Sequence, residues 1–244
     1  MSEKYDDRYL PATTHQQEQT THKKWKLTKS QYIIYYWLVA HSCWSKNEEH
    51  FYIYDNAWTQ KQLAEECGIS TKTVQRGLVA LEEHEILRRG DFTTKAYQIY
   101  WPYDATIALN KELMLFFLKL GQLIDLPLFI KLYTLLVYGY RYQVNDRRFT
   151  LADLQRALNL DTGVPERVKL LQMIALWEHI GLLRLKREIS HNNNKREFVI
   201  YTIENIQTNL DNISKYIEDG SCDIKRAWVD VVSNKIALPA MEEE

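Results

Sequence analysis

The clearest periodicity in the chain runs over residues 59–81. Leu63, Ala64 and Cys67 recur at helical spacing and mark the apolar face of one short helix, and Val74, Leu78 and Leu81 do the same for a second. Between them Gly68 can take the positive φ of a sharp turn, Ile69 can plug the corner, and Ser70 is a good N-cap. Downstream the pattern changes. Ile86-Leu87-Arg88-Arg89 predicts a strand, Gly90-Asp91 a tip, and Tyr97, Ile99 and Trp101 alternate along a return strand. Upstream, Thr28 is a plausible cap for a helix whose apolar face is Tyr32, Ile33, Tyr36, Leu38, Val39 and Ala40. Residues 44–50 predict a polar loop. Residues 51–54 predict a strand able to pair with the hairpin and close a three-stranded sheet, and Pro102 ends this first segment.

The second half repeats the pattern after two apolar stretches. Residues 110–124 predict a connecting helix, with Leu113, Phe116, Phe117 and Leu120 on its apolar side. Pro127 opens another helix to about Tyr142, with Phe129, Leu132, Leu135 and Leu136 inward. Residues 150–160 can then be laid on 59–69: Leu154 falls on Leu63, Leu158 on Cys67, Asn159 on Gly68 and Leu160 on Ile69. A longer turn leads to Pro165 at the start of a helix that reaches about His179. Gly181-Leu182-Leu183-Arg184 echoes Glu85-Ile86-Leu87-Arg88, and a second hairpin follows. Residues 209–217 predict a closing helix.

Residues 59–81 resemble a bacterial helix-turn-helix. Ile86-Leu87-Arg88-Arg89-Gly90-Asp91 with Tyr97-Gln98-Ile99-Tyr100 is similar to the two-stranded wing of a winged helix. The fold expected is mainly α with small β wings (α+β), in two tandem winged-helix domains. Its expected divisions are a disordered polar tail (1–21), a first winged helix (22–103), a connecting helix and second winged helix (104–206), and a C-terminal helix with an acidic tail (207–244). Tandem winged helices in a chain of 244 residues resemble the replication initiators of bacterial plasmids and phages, as does the run from Leu27-Thr28-Lys29-Ser30 through Thr73-Val74-Gln75-Arg76. That resemblance implies binding to repeats of double-stranded DNA at an origin, as monomer or homodimer, and recruitment of host replication proteins. In well-known initiators the second domain often reads DNA more specifically, whereas here the sharper motif is in the first.

The residue types support a DNA partner. Thr71, Lys72, Gln75 and Arg76 lie opposite the apolar stripe of the second helix of the motif, with Thr73 beside them. Arg can fork to guanine and Gln to adenine, while Lys or Thr can hold phosphate. The first hairpin adds Arg88, Arg89 and Lys95. The second module offers Arg167, Lys169, Arg187, Lys195 and Arg196. A basic arm at 22–26 could lie on phosphates or simply precede the first helix. The helix after Pro165 carries Leu170, Met173 and Trp177, too much apolar surface for one stripe, so these residues are expected to pack on the other domain or on a second subunit.

Net charge is −1, which first argues against a nucleic-acid partner. The acidic residues concentrate at the two ends, however, and leave a mildly basic body. Cys43, Cys67 and Cys222 are an odd set without paired spacing, and are read as reduced thiols of a cytoplasmic protein. The polar residues 1–21 do not read as a secretory leader. The apolar run 126–138 is broken by Lys131 and too short to span a bilayer, so no membrane partner is expected. No catalytic residue, metal site or cofactor is expected. The seven His are scattered, no Cys/His cluster has zinc spacing, and Gly68-Ile69-Ser70-Thr71-Lys72-Thr73 lacks the glycine spacing of a phosphate loop. Two other readings stay open: a winged-helix transcription regulator, and a protein-interaction adaptor that does not touch DNA.

Overall fold

The computed structural model describes residues 9–12, 27–45, 50–90, 96–100, 107–191, 197–208 and 223–233. The chain is α+β and divides into two units, Met1–Pro127 and Leu128–Glu244. The basic arm at 22–26, the closing helix at 209–217 and the candidates Lys95, Lys195 and Arg196 lie outside the described residues.

The first unit is built around α1 (Lys29–His41). Thr28 starts it with a reciprocal cap, in which the Gln31 N–H donates to Thr28 Oγ1 at 3.4 Å and the Thr28 N–H to Gln31 Oε1 at 2.6 Å. An amphipathic helix with one apolar face was expected, yet all of 32–40 is buried. The reason is tertiary. α2 (Gln60–Cys67) and α3 (Thr71–Glu83) pack on α1, and so does α4 (Lys111–Leu118). The stretch read as a connector between domains therefore packs within the first unit, which runs to Pro127. The connector is also not one helix. α4 stops at Leu118 and a separate short helical turn follows at Gly121–Leu123, where Gly121 takes φ +50° and an added Cβ would lie 2.8 Å from the Cys67 carbonyl oxygen.

The strands of this unit are β1 (Tyr9–Ala12), β2 (Cys43–Ser45), β3 (His50–Tyr54), β4 (Leu87–Arg89), β5 (Ala96–Ile99) and β6 (Ile107–Asn110). The expected pairing of β3 with the hairpin is present, but the sheet has four strands in the order β2-β3-β5-β4. The supposed polar loop contributes β2, which pairs antiparallel with β3. Residues 9–12 fall within the tail expected to be disordered. They instead form β1, antiparallel to β6: backbone pairing there is satisfied by a strand nearly a hundred positions away in sequence, which no local signal reveals.

Gly77 sets how close α3 comes to α1. A Cβ at this position would sit 2.2 Å from Ile34 Cδ1, and Ile34 is fully buried. A glycine inside a helix costs roughly 1 kcal/mol against Ala, and here that cost permits the approach. Gly77→Val is expected to lower the unfolding free energy by about 1–3 kcal/mol, the usual range for overpacking. Ile34→Val removes the colliding methyl and is expected to recover part of that loss in the double variant. Strictly additive effects in urea unfolding would show that the two helices do not meet at this point.

In the second unit, α5 (Leu126–Arg141) leads through a short turn with left-handed residues (Val144–Arg147) to β7 (Arg148–Phe149). Then follow α6 (Leu151–Ala157), α7 (Val164–His179), β8 (Leu183–His191), β9 (Glu197–Ile206) and α8 (Ile224–Val232). The sheet order is β7-β9-β8. It matches the order β3-β5-β4 within the first unit: in each, the strand before the helix pair joins the return strand of the hairpin.

The repeat extends to individual backbone hydrogen bonds. Thr59 Oγ1 accepts from the Gln62 N–H at 3.1 Å, and Thr150 Oγ1 from the Asp153 N–H at 3.1 Å. Both first helices end on a left-handed residue, Gly68 at φ +64° and Asn159 at φ +53°. The next residue then closes back, Ile69 N–H to the Ala64 carbonyl at 3.0 Å and Leu160 N–H to the Gln155 carbonyl at 2.9 Å. Both second helices end likewise on Glu85 and Gly181 at positive φ, with Ile86 N–H reaching the Leu81 carbonyl at 2.9 Å and Leu182 N–H the Trp177 carbonyl at 2.8 Å. Beyond each hairpin, Tyr100 N–H donates to the Ile86 carbonyl at 2.7 Å and Gln207 N–H to the Leu182 carbonyl at 2.8 Å.

The apolar surplus on α7 is buried. Leu170, Met173 and Trp177 are all buried. Trp177 packs against Phe129 (ring centroids 4.7 Å apart) and Tyr133 (5.3 Å), and α8 lies on α7 with Ile224, Ala227, Trp228 and Val231 buried. These residues therefore do not form an exposed face for a second subunit. Asp223 caps α8 by accepting from the Lys225 and Arg226 N–H groups at 3.0 and 3.2 Å.

Candidate nucleic-acid interface

Three local features place α3 as a presented helix. The left-handed Gly68 reverses the chain after α2, Ser70 Oγ accepts from the Thr73 N–H at 3.1 Å to start α3, and Val74, Gly77, Leu78 and Leu81 bury one face. The opposite face carries Thr71, Lys72, Gln75 and Arg76, all exposed and all in the first two turns. Thr73 is only half-exposed, and its Oγ1 lies 2.8 Å from Ser70 Oγ, so it belongs to the cap more than to the open face. Among the described residues Lys72 and Arg76 have no carboxylate partner.

Charge is graded along this helix. Its N-terminal turns carry Lys72 and Arg76, while Glu82 and Glu83 lie at its C-terminal end. The helix dipole adds to that polarity, since its N-terminus is the positive end. The end where Lys72 and Arg76 stand is therefore the more positive end of the helix.

The hairpin splits its two arginines. Arg88 is exposed, opposite Gln98 in register, and among the described residues it meets no carboxylate. Arg89 is tethered: its Nε donates to Glu82 Oε1 at 3.1 Å and its guanidinium lies over the Tyr97 ring at 5.6 Å. Glu82 was not singled out from sequence, although it lies on the same module. The hydrogen bond to it holds Arg89 more firmly in its charged form. An exposed ion pair of this kind contributes little to stability, so phosphate could displace it.

Cys67 is buried beneath this motif. Burial pushes its thiol up to about 12, with Glu66 adding to the effect, so it stays protonated and packs as a small apolar residue. Cys43 is an exposed free thiol and Cys222 lies outside the described residues. Among the described residues no group of three His, Cys, Asp or Glu could hold a metal ion, and no helix is long and apolar enough to cross a membrane.

The second unit arranges its candidates differently. Arg167 Nε donates to Gln155 Oε1 at 3.2 Å, and the buried Gln155 in turn donates to the Asp161 and Gly163 carbonyls at 2.8 and 3.3 Å. Arg167 thus braces the turn between α6 and α7. Lys169 pairs with Glu166 at 2.6 Å. Arg187 pairs with Glu178 and lies 5.7 Å from the centre of the Tyr201 ring. The five candidates of this unit therefore comprise three held within their own module and two, Lys195 and Arg196, outside the described residues.

Comparison with known proteins finds no match among family models, curated proteins or solved structures.

Proposed function

We propose that each unit is a winged helix and that the chain binds double-stranded DNA sequence-specifically, with α3 as the reading helix and the β4–β5 hairpin as its wing. One observation carries the reading. Lys72, Gln75 and Arg76 stand exposed, the two cations without a carboxylate partner among the described residues, on the early turns of a helix held against α1 through Gly77. A recognition helix enters the major groove by that end. Lys72 and Arg88 then hold phosphates, while Gln75 and Arg76 face base edges.

The role we infer is replication initiation at origin repeats, with host replication proteins as further partners. Support comes from the internal repeat, since two modules on one chain suit a long asymmetric site. A second reading, transcription regulation, has its own support. The described candidate cations of the second unit are all held within their module, which leaves α3 as the open face among the described residues, and a symmetric dimer would supply the other half-site. Footprinting with stoichiometry by light scattering separates the two. One chain protecting about two turns of a direct repeat fits the initiator, and two chains on an inverted repeat fit the regulator. DNA affinity that does not respond to salt would leave only a protein-interaction adaptor.

Base reading by Gln75 has its own test. Site selection from random DNA by wild type and Gln75→Ala is expected to give preferences that differ at one or two adjacent positions, worth about 1–3 kcal/mol. Identical preferences would remove Gln75 from base contact.

A further inference from the structure

We propose that the second unit carries a small-molecule site, a cleft of about 460 Å³ between α5, the turn after it, β7 and α6, which takes an amphipathic carboxylate with its aliphatic chain inside and its head on Arg147. The proposal stands apart from how the first unit is used.

The body of the ligand follows from the walls. Leu136, Leu154 and Ile203 line the cleft and are themselves almost wholly buried, with Leu135 beside them. Protein interiors normally close apolar surface of this kind to crystal-like density. Here the walls stay apart, at a volume in the ordinary range of small-molecule sites. One wall is open for a specific reason: Gly139 of α5 lines the cleft, and a Cβ added there would meet no atom within 4 Å.

The head follows from the rim. Arg147, Arg148 and Arg156 line the cleft, against one carboxylate, Asp153. Arg156 meets Asp153 at 3.5 Å and Arg148 meets Glu188 at 3.6 Å. Arg147 has no carboxylate partner among the described residues, and its guanidinium lies over the Tyr140 ring at 4.4 Å. A guanidinium held over a ring can still meet a carboxylate along its edge with two parallel bonds. The backbone here is unusual as well. Asn145, Asp146 and Arg147 all adopt left-handed φ, at +47°, +55° and +62°, in a region that residues with a Cβ seldom visit. That turn brings Asn145 and Arg147 to the cleft beside its aliphatic walls.

The test is calorimetric titration of the full chain with decanoate below its micelle concentration, beside decan-1-ol. One-site saturable uptake of decanoate is expected, with the alcohol bound about tenfold or more weakly because it lacks the charge that Arg147 pairs. Gly139→Leu fills the cleft from its open wall and is expected to abolish uptake. Arg147→Gln is expected to weaken decanoate by about tenfold and to leave the alcohol unchanged. No saturable uptake by the native chain, equal affinity for acid and alcohol, or undiminished uptake by a natively folded Gly139→Leu each overturns the proposal. Arg147→Gln alters only the rim, so its unchanged affinity for decanoate overturns it even where Gly139→Leu does not fold.

Discussion

Replacing Lys72 and Arg76 together by Ala is expected to lower affinity for the proposed DNA site on the order of 10²-fold. A forked Arg–guanine contact is worth about 1–3 kcal/mol, and a lysine on phosphate adds the counterion release of one charge. Their separate signatures distinguish them. Lys72→Ala is expected to weaken all sequences alike and to lower the salt slope by about one unit, whereas Arg76→Ala relaxes preference at one base pair. Both side chains are exposed and hold nothing else in place among the described residues, so the thermal midpoint should not move. Lys169→Ala and Arg187→Ala are expected to matter less, because Glu166 and Glu178 already occupy those cations. A folded double variant that binds its site as wild type does would remove α3 from the DNA.

Trp177→Ala is expected to cost about 3–5 kcal/mol, the range for deleting a large aromatic from a core. Trp177 is fully buried at the meeting of α5 and α7, against Phe129 and Tyr133. Among the described residues its indole N–H has no hydrogen-bond partner, and a desolvated donor without a partner carries a penalty of about 1–3 kcal/mol. Trp177→Phe keeps a ring in place and removes that donor, so it is expected to change stability by about 1 kcal/mol or less as the smaller ring and the lost penalty offset. Denaturant unfolding measures both. Equal losses for Ala and Phe would mean that the indole is bonded after all, and a negligible loss for Ala would mean that α7 is not a core helix.

The repeat was legible because its signals are local. Thr59 and Thr150 cap helices through residues three positions on, and Gly68 and Asn159 turn the chain through their own φ. α8 carries the same kind of local signal: Asp223 precedes Ile224, Ala227, Trp228 and Val231 at helical spacing. The open face of α3 was legible too, as the complement of Val74, Leu78 and Leu81. The roles of the arginines were not. Arg88 and Arg89 are neighbours of one type, yet Arg89 is tied to Glu82 and Tyr97 while Arg88 meets no carboxylate among the described residues.

What the sequence determined by itself was therefore the elements, their caps and turns, and the order in which each module lays them down. The tertiary structure decided the rest. It assigned α4 to the first core, buried α1 on every side, covered the apolar surplus of α7 with α8, and paired 9–12 with 107–110. It also showed Gly77 as a point of close approach, since only the position of Ile34 gives that missing side chain a meaning. The division has a physical basis. Helical periodicity, capping and turn geometry act between residues a few positions apart. What covers an apolar face, and which carboxylate reaches a given cation, depends on residues the chain brings together only by folding.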